Sequence, residues 1–184
     1  MNIGLISDTH GDLDSFNKAL DIFVKNKTEM IMHAGDILNH GVFNPVKKSY
    51  DPLDLAEAIN NCPIPMIFSK GNCDSDVDTL AIEYPIQSPF AFYQTAGKRL
   101  LLLHGDKYKE EQLTEIGAKY DLDFIIRGHT HHYQLKKGKP VVINPGSSSL
   151  PKTEDNVPTV GLLSDSGVEI INIDDGIVID SLNF

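Results

Sequence analysis

The chain has 184 residues, of which 41% are apolar and 23% charged, and this balance predicts one globular domain over residues 1–184. The net charge of −10 and the lack of a stripe of Lys and Arg disfavour a general nucleic-acid binder. No apolar run approaches the roughly 20 residues that span a bilayer, so no membrane segment is expected.

The first residues, MNIGLISDTHG, lack a basic region and reach an acidic side chain at Asp8, which is atypical of a signal peptide. We therefore expect a cytoplasmic protein. The two cysteines, Cys62 and Cys73, do not have CxxC spacing. The sequence thus predicts neither a disulfide framework nor a zinc knuckle.

Strands and helices alternate over the first two thirds of the chain. Between the first two strands, apolar residues recur at spacings of three and four from Leu13 to Val24, which predicts an amphipathic helix capped by Asp12. Similar patterns predict helices over 52–61 and 109–120. The buried strands, each too short for a typical helix, are predicted over 2–7, 29–34, 65–70, 99–105 and 123–128.

After residue 130 the pattern changes to strands separated by turn signals. Strand-like runs cover 141–145, 159–164, 168–173 and 177–182. So many buried strands need more than one sheet to cover them. The sequence therefore predicts an α/β fold of two facing, mixed sheets with helices on the outside.

Polar side chains follow the end of each of the first five predicted strands. Because loops at the carboxyl ends of strands in βα units converge where ligands bind, we expect these side chains in one crevice. Each alone has an ordinary explanation as a helix cap or turn residue, but their repeated placement favours a shared site. The seven candidate metal ligands are Asp8, His10, Asp36, Asn72, His104, His129 and His131.

Other histidines have simpler interpretations. His33 is expected to be a hydrogen-bonded core residue, and His132, which follows the GHTH motif, is expected to lie in solvent. Neither is predicted to bind a metal.

Seven oxygen and nitrogen donors exceed the four of one tetrahedral zinc site, which predicts two divalent ions. If the carboxylate of Asp36 bridges, two metals about 3.5–4 Å apart can each keep a position for water or substrate. Such donors suit manganese, iron, zinc or nickel, and the carboxylates favour Mn²⁺.

The ordered blocks SDTHG, AGDILNHG, GNCDSDVD, GHTH and NPGSSSLPK resemble those of the calcineurin-like metallophosphoesterases, and more narrowly the small YfcE-type phosphodiesterases. The resemblance runs across nearly the full chain and implies a four-layer α/β/β/α sandwich with a dinuclear metal centre. It implies that the first metal is held by Asp8, His10, Asp36 and His131. It implies that the second is held by Asp36, Asn72, His104 and His129.

This resemblance implies a metal-dependent phosphodiesterase that attacks small phosphoester substrates with a metal-activated water. Two alternatives stay open. One is a phosphomonoesterase of the same fold, and the other is a non-catalytic interaction module, like the metallophosphoesterase-like subunit of the retromer coat complex. Homo-oligomerisation is also left open.

The third block departs from the wider superfamily, in which a histidine commonly follows the asparagine and donates a proton or contacts phosphate. Cys73 stands there instead. Without that histidine, diesters and activated aryl esters are favoured over alkyl monoesters, which need a proton donor most. The candidate catalytic residues are Asp36, Asn72, Cys73 and Asp74.

Further residues are predicted to support the site. Asp74 is expected to orient Asn72 or Cys73, and Asn39 and His40, in the loop after Asp36, are expected to contact substrate. An ordinary role as turn residues stays open for all three. In the stretch INPGSSSL, Asn144 and Ser147 are expected to buttress the metal-binding loop, where the Pro-Gly pair is equally consistent with a plain turn.

Overall fold

A computed structural model, which describes all residues from 1 to 184, contains two mixed β-sheets and four helices. In chain order the elements are β1 (Asn2–Ile6), α1 (Leu13–Lys25), β2 (Met30–His33), α2 (Pro52–Asn60), β3 (Met66–Ser69), α3 (Asp78–Ala81), β4 (Ile86–Gln87), β5 (Ala91–Thr95), β6 (Lys98–Leu102), α4 (Glu110–Tyr120), β7 (Phe124–Ile126), β8 (Tyr133–Lys136), β9 (Val141–Pro145), β10 (Thr159–Ser164), β11 (Gly167–Asn172) and β12 (Val178–Asn183). None of the helices combines the length and the apolar composition that crossing a membrane requires.

The first sheet has seven strands in the order β12-β11-β10-β1-β2-β3-β4. Strands β1 to β4 run parallel, as βα connections require, whereas β10 to β12 form an antiparallel meander on the other side of β1. The second sheet has the order β5-β6-β7-β9-β8, with a parallel centre and antiparallel edge strands.

Three apolar clusters separate the layers. The largest lies between the first sheet and helices α1 and α2, and the smallest lies between the second sheet and α4. A third cluster fills the space between the sheets, where Ile3, Leu5, Met32 and Leu163 of the first sheet share one core with Leu100, Leu102, Phe124, Ile126 and Ile143 of the second. The predicted α/β/β/α sandwich is therefore confirmed.

The N-cap and most of the apolar face of helix α1 are as the sequence pattern predicted. The Asp12 side chain accepts a hydrogen bond from the backbone N–H of Ser15 at 3.0 Å, which is the expected N-cap. The helix buries Phe16 and Phe23 against the first sheet, but Val24 is 53% exposed. Val24 therefore lies on the solvent side of the helix, and its inclusion in the predicted apolar face was wrong.

Four short elements were not predicted. Strands β4, β5 and β8 and helix α3 are only two to five residues long and are half-exposed, so their sequences carry little apolar periodicity. The five early strands were all predicted at their observed places, with ends that differ by a few residues.

The five strand ends that were expected in one crevice come from both sheets. Strands β1, β2 and β3 belong to the first sheet, and β6 and β7 belong to the second. The sheets are joined there by a hydrogen bond between Nδ1 of His104, after β6, and the carbonyl oxygen of Ala34, after β2, at 2.8 Å. The crevice therefore lies at the rim where two sheets meet, rather than along one sheet edge.

A buried carboxylate fixes the loops after β2 and β3 to each other. Asp74 accepts hydrogen bonds from the backbone N–H groups of Asp36 at 2.9 Å, Ile37 at 2.7 Å and Gly71 at 2.7 Å. These three donors would otherwise be buried without partners, which costs free energy. Asp74 thus sets the relative positions of two loops that carry candidate ligands.

Replacing Asp74 by Asn should destabilise the fold, because an amide NH₂ must then face at least one of these N–H donors. We expect a loss of about 1–3 kcal/mol in the free energy of unfolding, measured by urea denaturation. The measurement belongs at pH 8, where the carboxylate is ionised although burial raises the pKa of Asp74 to about 6.

Asp76→Asn is the matched control, because Asp76 is exposed and pairs only with Lys70 at 2.7 Å. Its effect should stay within about 0.5 kcal/mol. Equal losses in the two variants would contradict the role given to Asp74.

Candidate metal centre

Two carboxylates and three imidazoles converge at the rim between the sheets, and all five side chains are buried. Oδ1 of Asp8 lies 3.3 Å from Nε2 of His131 and 3.8 Å from Nε2 of His10. Oδ2 of Asp36 lies 3.4 Å from Nε2 of His104 and 3.7 Å from Nε2 of His10. The Asp8 group and the Asp36 group are therefore adjacent, with His10 between them.

The three imidazoles are oriented in the same way. In His10, His104 and His131 the Nδ1 atom faces a backbone carbonyl oxygen, and Nε2 faces the centre. A carbonyl can only accept, so Nδ1 carries the proton and Nε2 of the neutral ring presents a lone pair. The acceptor is the carbonyl of Asn39 for His10 (2.8 Å), of Ala34 for His104 (2.8 Å) and of Leu150 for His131 (2.6 Å).

These lone pairs face other acceptors. Nε2 of His10 lies 3.2 Å from Nε2 of His131, and Nε2 of His104 lies 3.1 Å from Oδ1 of Asn72. Oδ1 of Asp8 is buried and has no hydrogen-bond partner. Opposed acceptors repel unless a positive charge lies between them. The side chains therefore fit divalent cations, for which neutral imidazole, carboxylate and amide oxygen are suitable ligands.

The charges at the centre also favour a cation. Where no cation is bound, a proton on Nε2 of His104 supplies the positive charge instead: burial acts to lower the pKa of His104, but its hydrogen bond to Asp36 and the charges of Asp8 and Asp36 outweigh burial and raise it to about 9. Burial acts to raise the pKa of Asp36, yet the interactions with His104 and a hydrogen bond from Cys73 hold it below its usual value. Two buried negative charges thus stabilise positive charge beside them.

The backbone is strained where the candidate ligands lie. Nine residues other than glycine have a positive φ, and five of them are candidate ligands. Left-handed backbone is uncommon in such residues and persists only where the surrounding structure enforces it, often at functional sites. The five are Asp8 (54°), His10 (46°), Asp36 (57°), His129 (70°) and His131 (59°).

Close backbone approach explains two glycines in the motifs. A Cβ atom on Gly71 would collide with Asp36, and one on Gly128 would collide with Ser7 and lie 2.8 Å from Oδ2 of Asp8. Any larger residue at either position would displace a central carboxylate. These glycines are therefore required for packing against the site.

Asn72 and His129 lie at the outer side of the centre. Both residues are exposed; Asn72 reaches His104 through its side-chain oxygen, whereas the ring centroid of His129 lies 5.1 Å from that of His104. The backbone N–H of His129 donates to Oδ2 of Asp8 at 3.1 Å. The structure thus brings six of the seven candidate side chains into direct contact and places the seventh at the rim.

Cys73, one of the candidate catalytic residues, lies beside the centre. Its Sγ lies within 4.8 Å of ligand atoms of His10 and Asp36, and its backbone N–H donates to Oδ1 of Asp36 at 2.8 Å. Burial, followed by the negative charges of Asp36 and Asp74, raises the pKa of the thiol to about 12. The closeness of Cys73 to His10 was not predicted, because the two residues lie on different loops.

The predicted supporting residues lie in different surroundings. Asp74 binds backbone N–H groups, and no hydrogen bond joins its carboxylate to the side chain of Asn72 or Cys73, so the orienting role expected for it has no contact to support it. Asn39 lines the cleft above the centre. The ring of His40 packs edge-on against Tyr50, at 5.1 Å between centroids, and does not line that cleft.

Residues of the INPGSSSL stretch hold the ligand loops. Nδ2 of Asn144 donates to the carbonyl oxygen of Gly128 at 3.0 Å and to Oγ1 of Thr130 at 3.0 Å. The hydroxyl of Ser147 donates to the carbonyl oxygen of Asp8 at 2.7 Å, and the hydroxyl of Ser149, which the sequence analysis missed, does the same at 2.9 Å. The stretch thus contacts the loops after both β1 and β7.

His33 and His132 lie in the surroundings predicted for them, the core and the solvent respectively. His33 is fully buried, with Nε2 at 3.0 Å from Oγ1 of Thr9 and Nδ1 accepting from the N–H of Gly35 at 3.1 Å. Burial lowers its pKa to about 3. His132 is exposed, and its Nδ1 contacts only the carbonyl oxygen of Thr130.

A cleft of about 410 Å³ opens above the centre, a size suited to a small ligand. Its floor contains Asp36, Cys73, His129 and His131, and its wall includes Lys152, which the sequence analysis did not identify. The complete lining is Asp36, Asn39, Gly41, Val42, Phe43, Asn44, Asn72, Cys73, His129, His131 and Lys152.

Comparison with known proteins tests the resemblance carried by the five motifs. Phosphodiesterase YfcE of Escherichia coli (strain K12) is 32% identical over 180 residues, which cover 97% of this chain and 96% of YfcE. Its solved structure aligns with a TM-score of 0.87 and 29% identity, over 100% of this chain and 99% of that one. Phosphodiesterase MJ0936 of Methanocaldococcus jannaschii is 28% identical over 89% of this chain and 92% of its own length.

The fold is also shared with vacuolar protein sorting 29 of Cryptosporidium parvum, which aligns with a TM-score of 0.68 over 100% of this chain and 98% of that one. At 17% identity, this likeness shows the fold alone. Residues 1–166 match the calcineurin-like phosphoesterase superfamily domain. Together with the YfcE likeness over nearly the whole chain, this match shows that the protein belongs to the calcineurin-like phosphoesterase superfamily.

Proposed function

We propose that this protein hydrolyses phosphodiester bonds in small substrates and that it uses two divalent metal ions. The observation that carries the proposal is the common orientation of three imidazoles, each with Nδ1 on a carbonyl and Nε2 aimed at a pair of buried carboxylates. Relatives named as phosphodiesterases, which match about nine tenths or more of this chain, support the reaction type.

Two sets of residues would hold the ions, with Asp36 in both. Asp36 is suited to the shared position because its carboxylate lies beside His10 on one side and His104 on the other. The first set is Asp8, His10, Asp36 and His131. The second set is Asp36, Asn72, His104 and His129.

Two bound divalent ions would supply a Lewis acid for the phosphoryl oxygens and would lower the pKa of a water that can act as the nucleophile. The chain's own residues keep the donors in place. The carbonyls of Ala34, Asn39 and Leu150 fix the imidazoles, and Asp74 holds the loop of Asp36 against that of Asn72. Asn39, at the cleft wall, is positioned to contact substrate, whereas His40 is not.

Manganese is the ion that we propose for both positions. Imidazole nitrogens and carboxylate and amide oxygens predominate among the donors, and Cys73 is the only sulfur near them. Such a donor set suits Mn²⁺ better than the thiolate-rich sites typical of structural zinc.

A phosphodiester fits the site better than an alkyl phosphomonoester. The cleft floor has a thiol at Cys73 and no histidine at that position to donate a proton, and alkyl monoesters need a proton donor for a poor leaving group. A non-catalytic interaction module would not require the strained ligand backbone or the opposed acceptors described above. Because the ligands come from both sheets, we also propose that residues 1–184 act as one domain.

Replacing Asp36 by Asn should remove phosphodiesterase activity and lower the metal content to one ion per chain or fewer, because Asp36 contributes to both positions. His131→Ala should act similarly through the first position. Metal content is measured by plasma mass spectrometry after dialysis against trace Mn²⁺, and activity is measured with bis(p-nitrophenyl) phosphate.

His132→Ala is the matched control, because His132 is the next residue and faces solvent. It should keep both ions and full activity. If His132→Ala were as harmful as His131→Ala, the assignment of alternate histidines to the metals would be refuted.

Cys73→Ser should retain substantial diesterase activity, because the proposed attacking group is a water and not the thiol. Cys73→His should introduce a proton donor and raise activity on a phosphomonoester relative to a diester, by roughly 10²-fold if the ring is accommodated. The measurement is the ratio of kcat/KM for p-nitrophenyl phosphate and bis(p-nitrophenyl) phosphate in the three proteins at one Mn²⁺ concentration. An inactive Ser variant that still holds two ions would instead indicate a direct chemical role for the thiol.

A further inference from the structure

Two adjacent apolar side chains stand in solvent at the edge of the cleft. Val42 is 89% exposed and Phe43 is 98% exposed, and both line the cleft whose floor is the metal centre. Exposed apolar residues are common on protein surfaces, but these two lie at the rim of a cleft and offer an apolar surface to a ligand bound there.

The loop that carries these residues is fixed to the metal centre. The backbone of Gly41 packs so closely on Cys73 that a Cβ would lie 2.7 Å from Sγ, and φ at Gly41 is 69°. The N–H of Gly41 donates to Oδ1 of Asn39 at 2.9 Å, while the carbonyl oxygen of Asn39 accepts from His10. Nδ2 of Asn44 closes the turn on the carbonyl oxygen of His40 at 2.9 Å.

The cleft contains one unpaired cation. Lys152 is the only lysine or arginine in its lining, and no carboxylate lies within 4.0 Å of its ammonium group. The backbone N–H of Lys152 donates to the carbonyl oxygen of the candidate ligand His131 at 3.1 Å, which fixes its place beside the centre. In a chain with a net charge of −10, this lysine is a local positive charge suited to an anion.

From these contacts we infer that Val42 and Phe43 form a subsite for an aromatic ester group of the substrate, and that Lys152 binds the anionic phosphate end of the same molecule. The inference rests on the proposed function and specifies its substrate class: phosphodiesters with at least one planar aromatic or heteroaromatic substituent. The bound metals would hold the phosphoryl group at the floor of the cleft, and the apolar wall would select the group attached to it.

The test uses two probes that differ only in the apolar group, phenylphosphonate and methylphosphonate. Their binding to the full-length, Mn²⁺-loaded protein is measured by titration calorimetry, which does not depend on turnover. A ring contact at a partly exposed site should make phenylphosphonate bind roughly 3- to 10-fold more tightly than methylphosphonate.

Phe43→Ala should abolish this preference, and Phe43→Tyr, which keeps the ring, should retain it. Val46→Ala is the matched control, because Val46 lies on the same loop and is 59% exposed but does not line the cleft. It should leave the preference unchanged. Lys152→Gln should weaken the binding of both phosphonates by a similar factor. This loss of affinity relative to wild type should be smaller at high salt.

A preference that is absent in wild type, or that survives Phe43→Ala, would overturn the subsite. Loss of self-association in Phe43→Ala on analytical ultracentrifugation, with an unchanged phosphonate preference, would overturn it in favour of contact with a second copy of the chain. The proposed function is tested separately. A wild-type protein that hydrolyses no diester but shows a Phe43-dependent preference would refute the proposed reaction and still support the subsite.

Discussion

The repulsion among buried acceptors at the rim between the two sheets is the constraint on which the rest of the structure depends. Asp8 and Asp36 follow strands of the first sheet, whereas His104 and His131 follow strands of the second. Bringing these groups together out of water is unfavourable unless a cation compensates. The shared core between the sheets, the left-handed ligand residues and the carboxylate of Asp74 all act to hold them there.

Much of this arrangement could be predicted from the sequence because the signals are local. Short apolar runs that end in Gly, Asp, Asn or His gave the five early strands and the residues at their ends. The convergence of those ends was also predictable, since parallel strands present their carboxyl ends together. The assignment of individual residues to individual metal ions stays a prediction.

Other features depend on contacts between distant parts of the chain. The sequence does not show that the crevice is formed by two sheets, that Cys73 lies near His10, or that Lys152 enters the cleft. Edge strands such as β8 were missed because half-exposed residues carry no clear apolar pattern. Val24 was misplaced because an apolar residue at helical spacing can still lie just beyond the buried face.

The partners that orient the three imidazoles have an evolutionary consequence. All three are backbone carbonyls, at residues 34, 39 and 150, and a carbonyl is present whatever side chain the residue carries. Mutations at residues 39 and 150 can therefore leave the rings in place, provided that the backbone path is kept, whereas residue 34 lies in the core between the sheets and tolerates little change in size. The loop after Asn39 can then diverge in sequence and change what the cleft accepts, while the chemistry at its floor is inherited unaltered.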